Sequence, residues 1–227
     1  MRIYYQGQLD FFCAVYATIN ALGILGPIPL VSARNAFADI LDGIAGHKEL
    51  WEATTRNDSD FYWLVKYALA WFTTSKGFPK YSVSQPFVQR DASFSSEEAL
   101  NLTTAVPYKQ RSAVRAHPNT IWHTLENWLP RQRPPGSGAE DGNAQKRAVI
   151  LRFHRYMRPD TSPFVMHWSA ADTLTDDELL LRDASCEQSA LHSLARKEVV
   201  FQPDDIHGGA LLHIEPESLF LIERTPS

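Results

Sequence analysis

Cysteine is scarce in this chain of 227 residues, where Cys13 and Cys186 are the only two. Two thiols cannot build the disulfide framework of a small secreted domain; a single bridge between them stays open, but reduced thiols are the expectation. Positive charge is in deficit as well, with 22 Lys and Arg against 26 Asp and Glu and a formal net charge of −4. No global positive field would gather nucleic acid or anionic lipid, so neither is expected as a partner. Long apolar runs are missing: even Phe61 to Phe72 is broken by Lys66, and nothing approaches the roughly 18 to 20 apolar residues of a membrane span. The opening Met1-Arg-Ile-Tyr-Tyr-Gln-Gly-Gln holds no apolar stretch of signal-peptide length. This implies a cytoplasmic protein, or one exported by a system that needs no signal peptide. Paired-cysteine and His-Glu-x-x-His motifs are absent, His207 and His213 have no supporting cysteine, and Gly208-Gly209 reads as a turn and not as a phosphate cradle. Metal and cofactor are therefore not expected, and kinase and dinucleotide-binding readings fail.

What is present suffices for a full core, since 44% of the residues are hydrophobic. Apolar spacing predicts helices over Phe11 to Leu25, Val31 to Ile44, Ser59 to Ser75 and Thr120 to Leu129. Pro130 to Lys146 mixes Pro, Gly and charge without periodicity and reads as an exposed, mobile loop. After it the pattern turns to short β-like runs: Ala148 to Tyr156, Phe164 to Ala171, Glu178 to Arg182, Glu198 to Phe201, Ala210 to Ile214 and Leu219 to Ile222. Helices followed by strands predict an α+β fold. One catalytic unit is expected over 1–227, with a mainly helical lobe (1–129), the mobile loop (130–147) and a lobe built on an antiparallel sheet (148–227).

The chemistry concentrates around Cys13. It follows Gln6-Gly7-Gln8-Leu9-Asp10, and Asp10 as helix N-cap would place Cys13 in the first turn, where free N–H groups and the helix dipole favour a thiolate. A free cysteine is commonly a small buried apolar residue; the glutamines and the partners below favour a nucleophile. His167, in the strand-like Pro163-Phe-Val-Met-His-Trp-Ser-Ala-Ala, sits on a rigid platform suited to a general base. Asp183 comes 16 residues later, just past Glu178-Leu-Leu-Leu-Arg. An antiparallel pairing would bring it beside His167, to accept the imidazole Nδ1–H and hold the tautomer. Asp172 is the competing acid, but five residues along the same strand it should project to the opposite face. A glutamine side chain and the Cys13 N–H would supply the oxyanion donors. Gln6 is preferred because it opens the Gln-Gly pair, and Gln8 is the alternative.

These residues, in the order Cys, His, Asp, resemble the papain-like cysteine peptidases. The acidic third member and short N-terminal lead are more similar to bacteriocin leader-processing peptidases and bacterial effector hydrolases than to papain itself. The resemblance implies a papain-like fold, with the nucleophile helix in the helical lobe. It also implies hydrolysis of a peptide or protein amide through a covalent thioester, without cofactor. Peptidase is the first expectation and protein-glutamine deamidase or a related acyl-transfer effector the second; a silent papain-like binding scaffold is the reading from another class.

Overall fold

The computed structural model describes residues 3, 12–57, 59–89, 94–105, 116–130, 146–184 and 192–226. Gln6, Gln8, Asp10, Cys186 and positions 131–145 of the expected loop lie outside them.

Helices α1 (Cys13–Leu25), α2 (Leu30–Ala45), α3 (Lys48–Thr55) and α4 (Tyr62–Thr74) come first, and the short α5 (Ser96–Leu100) and α6 (Pro118–Trp128) follow. Helix α1 contains no charged residue and is buried almost all round, the pattern of a helix in the centre of a core. Asp10 was expected to cap it, but the residue before its first turn is Phe12, which offers no capping oxygen. The Phe12 ring instead packs edge-on against Phe37 of α2 at 5.7 Å and near Trp51 of α3 at 6.5 Å. Aromatic packing fixes the start of this helix.

The strands are β1 (Tyr81–Ser84), β2 (Arg147–Arg155), β3 (Val165–Leu174), β4 (Glu178–Arg182), β5 (Ser193–Ala195), β6 (Val199–Val200), β7 (Leu212–Ile214) and β8 (Phe220–Arg224). They form one sheet in the order β1-β8-β2-β3-β4-β5, with β7 beside the far end of β2 and β6 beside β7. Among the described residues only the β6–β7 pairing is parallel. The architecture is α+β. One difference from the helices-then-strands reading is β1, which comes from the first half of the chain and pairs with β8 from Tyr81↔Arg224 to Ser84↔Leu221. Four residues alternating between half-buried and exposed leave little local signal.

The sheet separates two hydrophobic cores. Ala148, Ile150, Trp168, Ala170, Phe220 and Ile222 point to the side of α1, α2 and α4. Val149, Leu151, Phe153, Ala171 and Leu221 point to the side of α6. This is the two-residue period of strands buried on both faces. Among the described residues no helix is long and apolar enough to cross a membrane.

At the β7 end of the sheet lies a buried polar cluster that the sequence pattern did not reveal. Arg152 Nη1 donates to Glu215 Oε1 at 2.8 Å. His154 Nε2 lies 3.0 Å from the same oxygen but out of line for a hydrogen bond. The His213 ring stands perpendicular to that of His154 at 5.3 Å, and its Nδ1 is buried without a hydrogen-bond partner. Burial, helped by the charges of His154 and Arg152 and opposed by Glu215 and a hydrogen bond with the Phe201 backbone, lowers the His213 pKa to about 4. Because this lies below the ordinary value near 6.5, the unfolded chain takes up the proton first. The stabilisation is complete above about pH 6.5 and is lost as the pH falls toward 4. Urea unfolding at pH 7, 5.5 and 4.5 should show wild-type stability dropping by on the order of 3 kcal/mol more than that of His213→Gln. Parallel pH curves for the two proteins would contradict the assignment.

Candidate active site

Cys13 is the first residue of α1 and is 6% exposed. Val15 and Tyr16 both donate their backbone N–H to the Phe12 carbonyl, whereas the N–H of Cys13, at the first helical position, has no acceptor within the helix. The dipole of a 13-residue helix ends at this side chain.

His167 is placed by the hairpin of β2 and β3, in which Phe153 is its cross-strand partner. The Phe153 ring packs edge-on against the imidazole, centroids 5.7 Å apart. Its neighbour Trp168 is driven into the core and donates its indole N–H to the Asp60 carbonyl at 2.9 Å. This anchors β3 to the turn before α4. That turn is itself held, with Phe61 in the left-handed region at φ 56° while Ser59 Oγ and Asp60 Oδ1 accept the N–H groups of Phe61 and Tyr62. A bulky residue there is strained, and the two local acceptors offset the strain.

Asp183 is the first residue past β4 and is 2% exposed. Ala170 pairs with Arg182, so one further step in register sets Asp183 opposite Ser169, diagonal to His167 on the same side of the ladder. The carboxylate Oδ1 lies 2.8 Å from His167 Nε2. The carboxylate thus meets the ring at Nε2, where Nδ1 was expected. Cys13 bonds the same imidazole. The buried Asn20 amide of α1 donates to the Arg182 carbonyl at 3.4 Å, tying the helix that carries Cys13 to the strand end that carries Asp183.

Asp172 is engaged elsewhere. A register shift between Ala171 and Thr173 interrupts the β3–β4 ladder, and Asp172 Oδ2 accepts from Arg182 Nε at 2.7 Å and lies 2.6 Å from its Nη2. Of the residues singled out from the sequence, Cys13, His167 and Asp183 meet, Asp172 does not join them, and Gln6 and Gln8 lie outside the described residues. Sequence reading missed Phe153 and Trp168, although both flank His167 in a recognisable β-hairpin pattern. Among the described residues no group of three or more His, Cys, Asp and Glu is arranged to hold a metal.

Burial works against a charge on His167, but the hydrogen bonds with Asp183 and Cys13 and the electrostatic interactions with the same two residues outweigh it, raising its pKa to about 10. The ring is an imidazolium at neutral pH, held between two acceptors. Compared with known protein families, with curated proteins and with solved structures, the chain matches none.

A raised pKa has a definite sign. The folded protein holds this proton more tightly than the unfolded chain, so the stabilisation is complete below about pH 6.5 and is lost as the pH rises through about 10. NMR titration of the His167 ring should give a midpoint well above that of an exposed histidine, moving down in Asp183→Asn. An unchanged midpoint in that variant would remove Asp183 from the account.

Proposed function

We propose that this chain is a papain-like cysteine hydrolase acting on peptide or protein amide bonds, first of all a peptidase. The observation that carries the reading is the hydrogen-bonded chain Cys13–His167–Asp183, with the cysteine at the start of a buried central helix and the histidine kept protonated.

In the proposed cycle the Cys13 thiolate attacks the amide carbonyl carbon, and the carbonyl π electrons move to oxygen. The Cys13 backbone N–H is one donor for that oxyanion, and a glutamine upstream, Gln6 before Gln8, is the second. As the tetrahedral intermediate collapses, the C–N bond breaks and His167 gives its proton to the departing amine, leaving a thioester on Cys13. Neutral His167 then takes a proton from water as the water oxygen adds to the thioester carbonyl. The C–S bond breaks, the acid is released, and the thiolate and imidazolium pair is restored. Asp183 positions the ring and stabilises its charge throughout without taking the proton. A nucleophile of this kind suits a compartment that keeps thiols reduced, such as the cytoplasm.

Peptide-library hydrolysis followed by mass spectrometry tests the reading. Cys13→Ala and His167→Ala should each lower kcat by more than about a thousandfold, and Asp183→Asn should give a smaller loss. Asp172→Asn should leave kcat of the folded enzyme within a few-fold. Equal loss in Asp172→Asn with Asp183→Asn harmless would mean that the acid is misassigned. Ammonia release from glutamine side chains with no chain cleavage would move the reaction to deamidation, which runs through the same steps.

A further inference from the structure

Positions 166, 168 and 170 of β3 share one face of the sheet. Ala170 and Trp168 are buried at 0% and 1% exposure in the core that contains α1. The cover ends with the helix. Cys13, its first residue, bonds His167, and one step beyond that level Met166 is 51% exposed. Phe164, just before β3, is 48% exposed, and Met157 in the connecting hairpin turn is 71% exposed. Half of the exposed large hydrophobic side chains among the described residues thus belong to this one hairpin. Met166 is seated against the buried Arg152, whose Nη2 lies 3.7 Å from its sulfur. The Arg155 guanidinium lies over the Phe164 ring at 5.5 Å, and Arg158 stands exposed beside Met157. In a chain of net charge −4, this lip is apolar in the middle, and its margin carries Arg155 and Arg158 against the single acid Asp160.

We propose that the Met157–Phe164–Met166 lip is the docking surface for the substrate polypeptide, taking a large apolar residue close to the scissile amide and an acidic residue next to it. The inference rests on the hydrolase reading. Its physical basis is that Met166 and Phe164 lie at the exposed end of β3, on from the residues that the nucleophile helix covers, so an apolar side chain laid on them is itself covered and brings its own backbone toward Cys13. Methionine and phenylalanine suit such a surface, because the thioether adapts its shape and the ring gives area. Arg155 and Arg158 then favour an acidic neighbour by simple charge complementarity.

Binding measured on the Cys13→Ala protein separates this proposal from the catalytic reading. Fluorescence anisotropy of labelled peptides should rank apolar-plus-acidic above apolar-plus-basic, and both above an all-polar peptide. Met166→Ser with Phe164→Ser should weaken the apolar peptides about ten- to a hundredfold. Arg158→Glu should reverse the preference for the acidic neighbour, and added salt should erase it. On otherwise wild-type protein, the double serine variant should raise KM and leave the iodoacetamide labelling rate of Cys13 unchanged. Equal binding of all three peptides, or undiminished binding by the serine variant, would overturn the lip as a docking surface whether or not the enzyme turns over. Intact peptide binding without hydrolysis by wild-type protein would instead count against the catalytic reading and leave the lip standing.

Discussion

The hydrogen bond between His167 Nε2 and Asp183 Oδ1, 2.8 Å long and almost sealed from solvent, is the interaction on which the rest of the site depends. A buried imidazolium without an anion would be expensive, and a buried carboxylate without a cation equally so. Each justifies the other. The fold preserves this contact through backbone register. Asp183 reaches His167 only because Ala170 pairs with Arg182; a slip of one residue would send the carboxylate to the opposite face of the sheet. The Trp168 bond to the Asp60 carbonyl and the Asn20 bond to the Arg182 carbonyl both resist such a slip.

Two histidines of the same sheet show how partners decide the outcome of burial. His167 is pushed up to about 10 and His213 down to about 4, and burial opposes the charge in both. His167 has a carboxylate and a sulfur as direct hydrogen-bond partners. His213 has His154 and Arg152 among its close neighbours, while the Glu215 carboxylate is bonded to Arg152. One histidine is thereby held charged and the other neutral over the whole physiological range.

Much of the arrangement was legible in the sequence because its signals are local or nearly so. The apolar run from Cys13 to Leu25 marks α1, and the strand-like segments around His167 and before Asp183 are joined by a short turn, so 16 residues of spacing were enough to put histidine and acid together. Where recognition depended on distant partners it failed. Strand β1 exists through its pairing with β8, some 140 residues away, and β5, α3 and α5 are too short to show a period. The start of α1 is set by Phe12 stacking on Phe37 and Trp51, which no capping rule anticipates. The bonding of His167 through Nε2 to Asp183 depends on how the ring is turned by Phe153, and the shared carboxylate of Arg152 and His154 depends on the turn after β7. These are products of packing, not of spacing.

The central claim is that Cys13 is an activated nucleophile, held beside an imidazolium by the fold. Competitive alkylation of the native protein with limiting iodoacetamide at neutral pH, read by peptide mapping against a urea-unfolded control, tests it most directly. The account predicts that Cys13 is labelled far faster than Cys186 in the folded protein, and that the two rates converge in urea. Labelling of Cys186 as fast as Cys13 in the folded state would contradict it.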